Sequence, residues 1–401
     1  MKSLGITLVC LLAAPALASD VDELVGALLG DTSIIDDLQE LTDTIGGRPT
    51  GSEANREAIA WAVQTLGEAE VRVTTEDFEM PMAWRESQAT ASIGGDLDFS
   101  ANVVSKPFST GASALSAPII DAGTGSEADF DRLGDRAKGA WALVETPVLD
   151  DEIGLAGLFA EYGDAVAIEA RAFARDVTGV VFMSSRPKNL VYRHNASRGY
   201  RNNKPLLVME REHAKRVLRL LRAGQSLTLT STITVEGGES YTSTNVIAEI
   251  PGSARPEEIV LFGAHLDSHD LGTGALDNGV NVSMLINIAR QITRLGLKPK
   301  RTIRFALWNG EEQGLVGSWK YTEQHDDELD NHIVAASFDI GSGRTIGFYT
   351  GGRPDLVPLV DSHLDPVAGL GPFQQIDAPV VGTDNFDFMI EGVPNLIAIQ
   401  D

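Results

Sequence analysis

The sequence is poor in cysteine, and this lack narrows the chemistry open to the protein. Its 401 residues include a single cysteine, Cys10, which lies inside an apolar N-terminal segment. If that segment is removed, the mature chain has no thiol. It then forms no disulfide, and any bound metal must be held by nitrogen and oxygen ligands. Zinc sites built on cysteine are therefore excluded.

Basic residues are also scarce relative to acidic ones. The chain has 32 lysines and arginines against 57 aspartates and glutamates, which gives a formal net charge of −25. Nucleic acids and anionic membrane surfaces are bound through basic protein surface, so we expect neither as a partner. Solubility explains most of the acidic excess, although some of the carboxylates need a local explanation.

The sequence also lacks long apolar runs. A short apolar run at the N-terminus is typical of a cleavable secretory signal. Lys2 precedes an apolar run from Leu4 through Leu12, and residues 16–18 read Ala-Leu-Ala before Ser19. The run is much shorter than the roughly 20 residues that a membrane-spanning helix needs. We therefore predict a signal peptide at residues 1–18 and a secreted or periplasmic protein without membrane association after cleavage.

The rest of the chain divides into three regions. Residues 20–104 hold a polar loop at 46–52, a helical stretch and an alternating strand, typical of the start of an α/β domain. Residues 105–238 contain short strands and no reactive cluster, whereas residues 239–401 alternate strand and helix. We predict an α/β fold with an open, mostly parallel sheet, helices on both faces and a small β-rich insert at 105–238.

Polar residues follow three of the predicted strands at the points where these strands end. His265 and Asp267 follow the first strand, Glu311 and Glu312 follow the second, and Asp339 follows the third. In open parallel sheets the binding crevice lies beyond the carboxyl ends of the strands. We therefore expect these side chains to converge on one crevice.

Several carboxylates packed together repel one another unless a cation lies among them. Asp277, just before a predicted helix, joins Glu312 and Asp339 as a third carboxylate beside His265. One imidazole and three carboxylates without a thiolate suit zinc and could also admit cobalt or manganese. Each residue alone could be a turn, a helix cap or a solvated helix start, but together they indicate a metal site.

Four segments carry a family resemblance: residues 263–268 (Gly-Ala-His-Leu-Asp-Ser), 274–279 (Gly-Ala-Leu-Asp-Asn-Gly), 308–314 (Trp-Asn-Gly-Glu-Glu-Gln-Gly) and 337–339 (Ser-Phe-Asp). Together they resemble the co-catalytic zinc exopeptidases, a family of bacterial leucyl aminopeptidases and plasma glutamate carboxypeptidase-like enzymes. The resemblance covers nearly the whole chain after the signal, and it implies that the middle region is a protease-associated insert.

The resemblance also implies a ligand set for two zinc ions. His265 and Asp339 would bind one ion, Glu312 would bind the other, and Asp277 would bridge both. Such enzymes hydrolyse terminal peptide bonds, so the implied substrate is a peptide or dipeptide.

The same resemblance implies two catalytic roles. Glu311 would be the general base that takes a proton from the attacking water and passes it to the leaving amine. Asp267 would fix the orientation of the His265 imidazole.

The sequence departs from the family pattern at one ligand. The family takes a second histidine from a loop downstream of the last strand, and the sequence stops at Asp401 after that strand. Either the C-terminus is truncated, which we expect, or the protein binds its second metal weakly through an incomplete site. The effect on activity stays open. His269 lies close to His265, at a position where the family has other residues.

Substrate contacts are predicted from the segment Gly382–Phe388, which resembles the substrate-pocket loop of the family. Asp384 and Phe386 are the main candidates in it, and Tyr192, Arg193 and Arg198 are further ones. Amino- and carboxypeptidase action both stay open, as does the oligomeric state. The alternatives are a catalytically impaired relative that acts as a binding or scaffold protein, and a hydrolase of non-peptide amides.

Overall fold

The structure, a computed structural model, describes residues 19–149, 154–193, 199–339, 341 and 343–400. The predicted signal segment 1–18 and the candidate Arg198 lie outside these residues. Within them, no helix has both the length and the apolar character needed to cross a membrane.

The described residues form ten α-helices and fifteen strands. The α-helices are α1 Asp20–Leu28, α2 Ile34–Gln39, α3 Glu53–Glu68, α4 Glu127–Leu133, α5 Gly154–Ala174, α6 Arg211–Arg222, α7 Val280–Arg294, α8 Val316–Gln324, α9 Val357–Leu364 and α10 Asn385–Ile390. The strands are β1 Arg72–Met80, β2 Trp84–Gly94, β3 Phe99–Ala101, β4 Val103–Ser105, β5 Ala112–Asp121, β6 Trp141–Val144, β7 Gly179–Met183, β8 Leu206–Met209, β9 Thr228–Gly237, β10 Tyr241–Ile250, β11 Arg255–His265, β12 Arg301–Trp308, β13 His332–Ser337, β14 Thr345–Tyr349 and β15 Asn395–Gln400.

The first sheet has seven strands in the order β1-β10-β12-β11-β13-β15-β14. Its central strands β12, β11, β13 and β15 are parallel, whereas β1, β10 and β14 pair antiparallel towards the two edges. The predicted α/β class with an open sheet is confirmed. The carboxyl ends of the four parallel strands therefore lie along one edge of the sheet.

Helices cover both faces of this sheet because its central strands are apolar on both sides. On one face, Leu285 and Ile286 of α7 and Ala62 of α3 pack in one buried cluster with the sheet. On the other face, Tyr321 of α8 and Phe388 of α10 pack against Trp308 and its neighbours. This double cover leaves the sheet's carboxyl edge as the place where polar side chains gather.

The second sheet has eight strands in the order β3-β2-β9-β5-β6-β7-β8-β4 and carries α4, α5 and α6. It begins at Trp84, so the predicted insert boundary at residue 105 falls inside it. Its buried interior includes an ion pair between Lys106 and Glu169, 2.7 Å apart and both fully buried. The chain enters and leaves this unit at adjacent points, where Ala83 N donates to Glu239 O and Gly238 N donates to Ala83 O.

Candidate metal and catalytic site

Three predicted ligands meet where strands β11 and β13 end. His265 closes β11, and its Nε2 atom lies 3.0 Å from Oδ1 of Asp277 and 3.0 Å from Oδ1 of Asp339. The ligand atoms of these three residues all lie within 4.8 Å of one another. The His265 side chain is almost fully buried, whereas Asp277 is 61% exposed and opens the cluster to solvent.

The loop that carries Asp277 is held by Arg48, a fully buried residue of the polar loop 46–52. Its guanidinium donates to the carbonyl oxygens of Leu266, Thr273 and Gly274 at 2.6–2.9 Å. Burial lowers the pKa of Arg48 to about 10, although nearby carboxylates raise it. The guanidinium therefore stays charged at neutral pH. Arg48 thus fixes both ends of the loop and places a positive charge beneath the acidic cluster.

Asp267 connects the loops that follow β11 and β12. Its Oδ2 accepts a 2.6 Å hydrogen bond from Thr50, and its Oδ1 accepts one of 3.4 Å from the Glu311 amide. Nδ1 of His265 lies 3.0 Å from the backbone oxygen of Asp267 and 3.6 Å from its carboxylate. The imidazole is therefore oriented by both the main chain and the side chain of Asp267.

Glu311 and Glu312 reach the site through a tight turn after β12. Gly310 has a φ of +80°, a conformation that glycine adopts readily and other residues rarely do. Its amide donates to Thr50 Oγ1 at 2.8 Å, and Asn309 is held by Asn55 and Thr244. The turn directs both glutamates towards the carboxyl edge.

Glu312 contacts a residue that the sequence prediction had set aside. Nε2 of His269 lies 2.8 Å from Oε2 of Glu312, and the two side chains are 24% and 12% exposed. Burial alone would lower the pKa of His269, but Glu312 raises it to about 9. The contact with Glu312 therefore favours the protonated form of His269.

Mutual repulsion and burial control the charge of the cluster. Burial raises the pKa of Glu311 well above its ordinary value; His265 opposes this, while Asp339 and Glu312 add to it. Burial would lower the pKa of His265, but Asp339 and Glu311 hold it well above its ordinary value. Divalent cations among these groups would compete with protons for the carboxylates and the imidazole.

Asp384 lies within the core, next to Gly263, Trp308 and Ser337. It is 1% exposed, and its two carboxylate oxygens have no hydrogen-bond partner among the described residues. Burial raises its pKa well above the ordinary value. Phe386, in the first turn of α10, is half-buried.

A cavity of about 320 Å³ adjoins Glu312 and His269, and both units of the chain line it. Trp84, Phe108 and Arg193 come from the second unit, and Thr50 and Ser268 from the first. Neither Asp384 nor Phe386 is among the described residues that line it.

Arg193 and Tyr192 tie the two units together beside this cavity. Arg193 contacts Glu86, 3.0 Å away, and Asp270, also 3.0 Å away. The ring of Tyr192 meets that of His269 edge-on, with the centroids 6.2 Å apart.

The donor set fits zinc. It offers imidazole nitrogen and carboxylate oxygen at mutual distances near 3 Å, without thiolate and with an excess of negative charge that a divalent ion neutralises. Arg48 and Thr50 were not predicted as part of the site; the only sequence signal was the polar loop that contains them.

Comparisons with known proteins agree with this chemistry. Residues 245–400 match the model of peptidase family M28. Carboxypeptidase Q of Xenopus laevis is 28% identical over 374 residues, 90% of this chain and 76% of that protein. A probable lipoprotein aminopeptidase of Mycobacterium tuberculosis is 27% identical over 354 residues, 86% of this chain and 64% of that protein.

Solved structures show the same fold. A peptidase M28 precursor from Shewanella amazonensis has a TM-score of 0.83 and 27% identity, covering 94% of this chain and 86% of that one. A zinc aminopeptidase from Bacillus subtilis has a TM-score of 0.69 and 20% identity, with 91% and 84% covered. The second likeness concerns the fold alone.

Proposed function

We propose that the chain is a zinc exopeptidase of peptidase family M28, whose model matches residues 245–400, and that it hydrolyses terminal peptide bonds of short peptides or dipeptides outside the cytoplasm. The observation that carries the proposal is the contact of one buried imidazole, His265, with the two carboxylates Asp277 and Asp339 at 3.0 Å each. The predicted signal at residues 1–18 supports the extracytoplasmic location.

We assign the ligands to two zinc ions. His265 and Asp339 would bind one ion and Glu312 the other, while Asp277 would be shared between them. Asp277 suits the shared position because it belongs to the His265 cluster and also lies close enough to His269 and Glu312 to influence their pKa values.

Zinc, when bound, supplies Lewis acidity that polarises the scissile carbonyl and lowers the pKa of a water molecule towards neutrality. Glu311 would accept a proton from the attacking water and deliver it to the leaving amine. Asp267, held by Thr50, keeps the His265 ring fixed while this happens.

The substrate would lie in the cavity beside Glu312. A volume of about 320 Å³ suits a small substrate, and Trp84 and Phe108 provide apolar contact for one side chain. Arg193 holds the cavity wall through its contacts with Glu86 and Asp270. We therefore assign substrate contact to the cavity wall, and to Asp384 a supporting position beneath the ligands.

Hydrolysis of a panel of dipeptides and aminoacyl anilides tests the proposal. Purified protein should release amino acids in the presence of zinc, lose this activity when a chelator removes the metal, and recover it when zinc is restored. Acylated amino acids in the same panel test the alternative of a non-peptide amide hydrolase. Stoichiometric zinc binding without turnover on any substrate would favour a catalytically silent binding protein instead.

A further inference from the structure

The contact between His269 and Glu312 matches the spacing of the predicted metal ligands. Nε2 of His269 lies 2.8 Å from Oε2 of Glu312, while Nε2 of His265 lies 3.0 Å from oxygens of Asp277 and Asp339. Two donor atoms about 3 Å apart can both lie about 2.1 Å from one zinc ion. The site therefore has a second imidazole and carboxylate pair with the spacing of ligands.

The loop that carries His269 is held in place. Ser268 Oγ accepts a hydrogen bond from the Arg48 amide at 3.1 Å and donates one to the His269 carbonyl at 3.1 Å. The next residue, Asp270, is bound by Arg193, and Tyr192 meets the His269 ring edge-on. These contacts from both units of the chain hold the imidazole towards Glu312.

From this geometry we propose that His269 is a direct ligand of the zinc ion that Glu312 binds. The inference rests on the proposed zinc-dependent function. Each ion then has two ligands that it does not share, one imidazole and one carboxylate. These are His265 and Asp339 for one ion, and His269 and Glu312 for the other. Asp277 is then shared by both ions.

A simple ion pair would produce the same contact, and two substitutions separate the alternatives. Lysine at position 269 keeps a cation beside Glu312, but its ammonium group has no lone pair for a metal. Glutamate at position 269 removes the cation but offers a carboxylate of similar reach, which zinc accepts. If His269 is a ligand, H269K should lose the zinc ion at Glu312 and H269E should keep it. If the contact is only an ion pair, H269K should fold as stably as wild type and H269E should be destabilised.

The chain contains a matched control for this pair. His213 Nδ1 in α6 lies 3.0 Å from Oε2 of Glu210, so it also pairs with a carboxylate. This pair lies in the second unit, and H213K makes the same substitution away from the site.

The experiment is zinc titration of the metal-free protein by calorimetry, with elemental analysis after dialysis against a zinc buffer. Wild type, H213K and H269E should bind about two ions per chain, and H269K about one. Because outer-shell changes already cost 10–100-fold in metal affinity, the second ion should bind H269K at least about 100-fold more weakly.

Two results would overturn the inference. One is two tightly bound ions in H269K; the other is a wild type that binds a single ion with an affinity that H269K leaves unchanged. A wild type that binds no zinc at all would instead contradict the proposed function, so the two failures are distinct. Unfolding curves of the metal-free variants show whether a lost ion reflects lost structure.

Discussion

Thr50 and Asp267, which are 217 residues apart in sequence, share a hydrogen bond of 2.6 Å beneath the ligand cluster. The same hydroxyl accepts a hydrogen bond from the Gly310 amide, so the Thr50 side chain joins the loops that follow β11 and β12. The position of Glu311 relative to His265 therefore depends on a residue of the N-terminal polar loop.

Replacement of Thr50 tests this connection. T50V keeps the side-chain shape but removes the hydroxyl, leaving a buried carboxylate oxygen and an amide without that partner. We expect kcat to fall about 10–100-fold with zinc content retained, as for other changes to the partners of ligands. T50S, which restores the hydroxyl, should recover most of the loss, measured by steady-state kinetics and elemental analysis. Equal activity in T50V and wild type would contradict the role.

Glu311 is the proposed general base, and E311Q removes its ability to accept a proton. The variant should keep its fold and zinc, because Glu311 is assigned as a base and not as a ligand, while kcat falls about 10²–10⁴-fold. Steady-state kinetics with elemental analysis measures both quantities. Activity close to that of wild type would exclude the assignment.

Asp277 is the proposed shared ligand, so its loss affects both ions. D277A should bind neither ion tightly. D339A removes a ligand of one ion only, so it should still bind the ion at Glu312. Zinc titration of the two metal-free variants makes the comparison. Two tightly bound ions in D277A would refute the shared role.

Trp84 forms part of the cavity wall from the second unit, with its Nε1 bonded to the Ser109 carbonyl at 3.0 Å. W84A should raise KM for substrates with large apolar side chains and leave zinc content unchanged, since the described contacts of Trp84 are with Ser109, Phe108 and Arg193. W319A is the control, because Trp319 is 49% exposed on α8 and does not line this cavity. An unchanged KM across the substrate panel would place substrate elsewhere.

His332 gives a stability prediction independent of the metal site. Burial lowers its pKa to about 4, with Arg304 and His325 adding to the effect and Glu328 opposing it; its Nε2 lies 2.9 Å from the Tyr321 hydroxyl. As the pH falls below about 6.5, the unfolded chain takes up the proton first, so folding stability declines until about pH 4.

This loss amounts to about 3 kcal/mol for the single histidine. The variant H332N lacks the titrating ring, so its urea unfolding free energy should depend less on pH than that of wild type between pH 6.5 and pH 4. Subtracting the two curves removes the contribution of the site carboxylates. Parallel curves would show that His332 titrates normally in the folded state.

Much of the parallel core could be predicted because its strands are apolar runs followed by polar residues. The candidate ligand His265 is the last residue of β11, and the candidate ligand Asp339 follows β13. Strand β2 of the second sheet was not predicted, because only Ala91 and Ile93 of its residues are buried and it lacks a clear apolar pattern.

The supporting part of the site could not be predicted in the same way. Arg48 and Thr50 act through hydrogen bonds to residues 217–226 positions away, and no local pattern encodes such contacts. His269 stands at a position where a family pattern gives no role, so only its distance to Glu312 revealed it. Patterns thus located the strand ends, whereas folding determined which loops meet there.

The cavity wall and the ligand cluster come from different stretches of the chain: Trp84 and Phe108 belong to the second unit, and the ligands follow β11, β12 and β13 of the first. Under the proposed assignment, substitutions in the wall would alter which peptides are accepted and leave the proposed reacting groups intact. The proposed selectivity and the proposed hydrolytic step thus depend on different stretches of the chain.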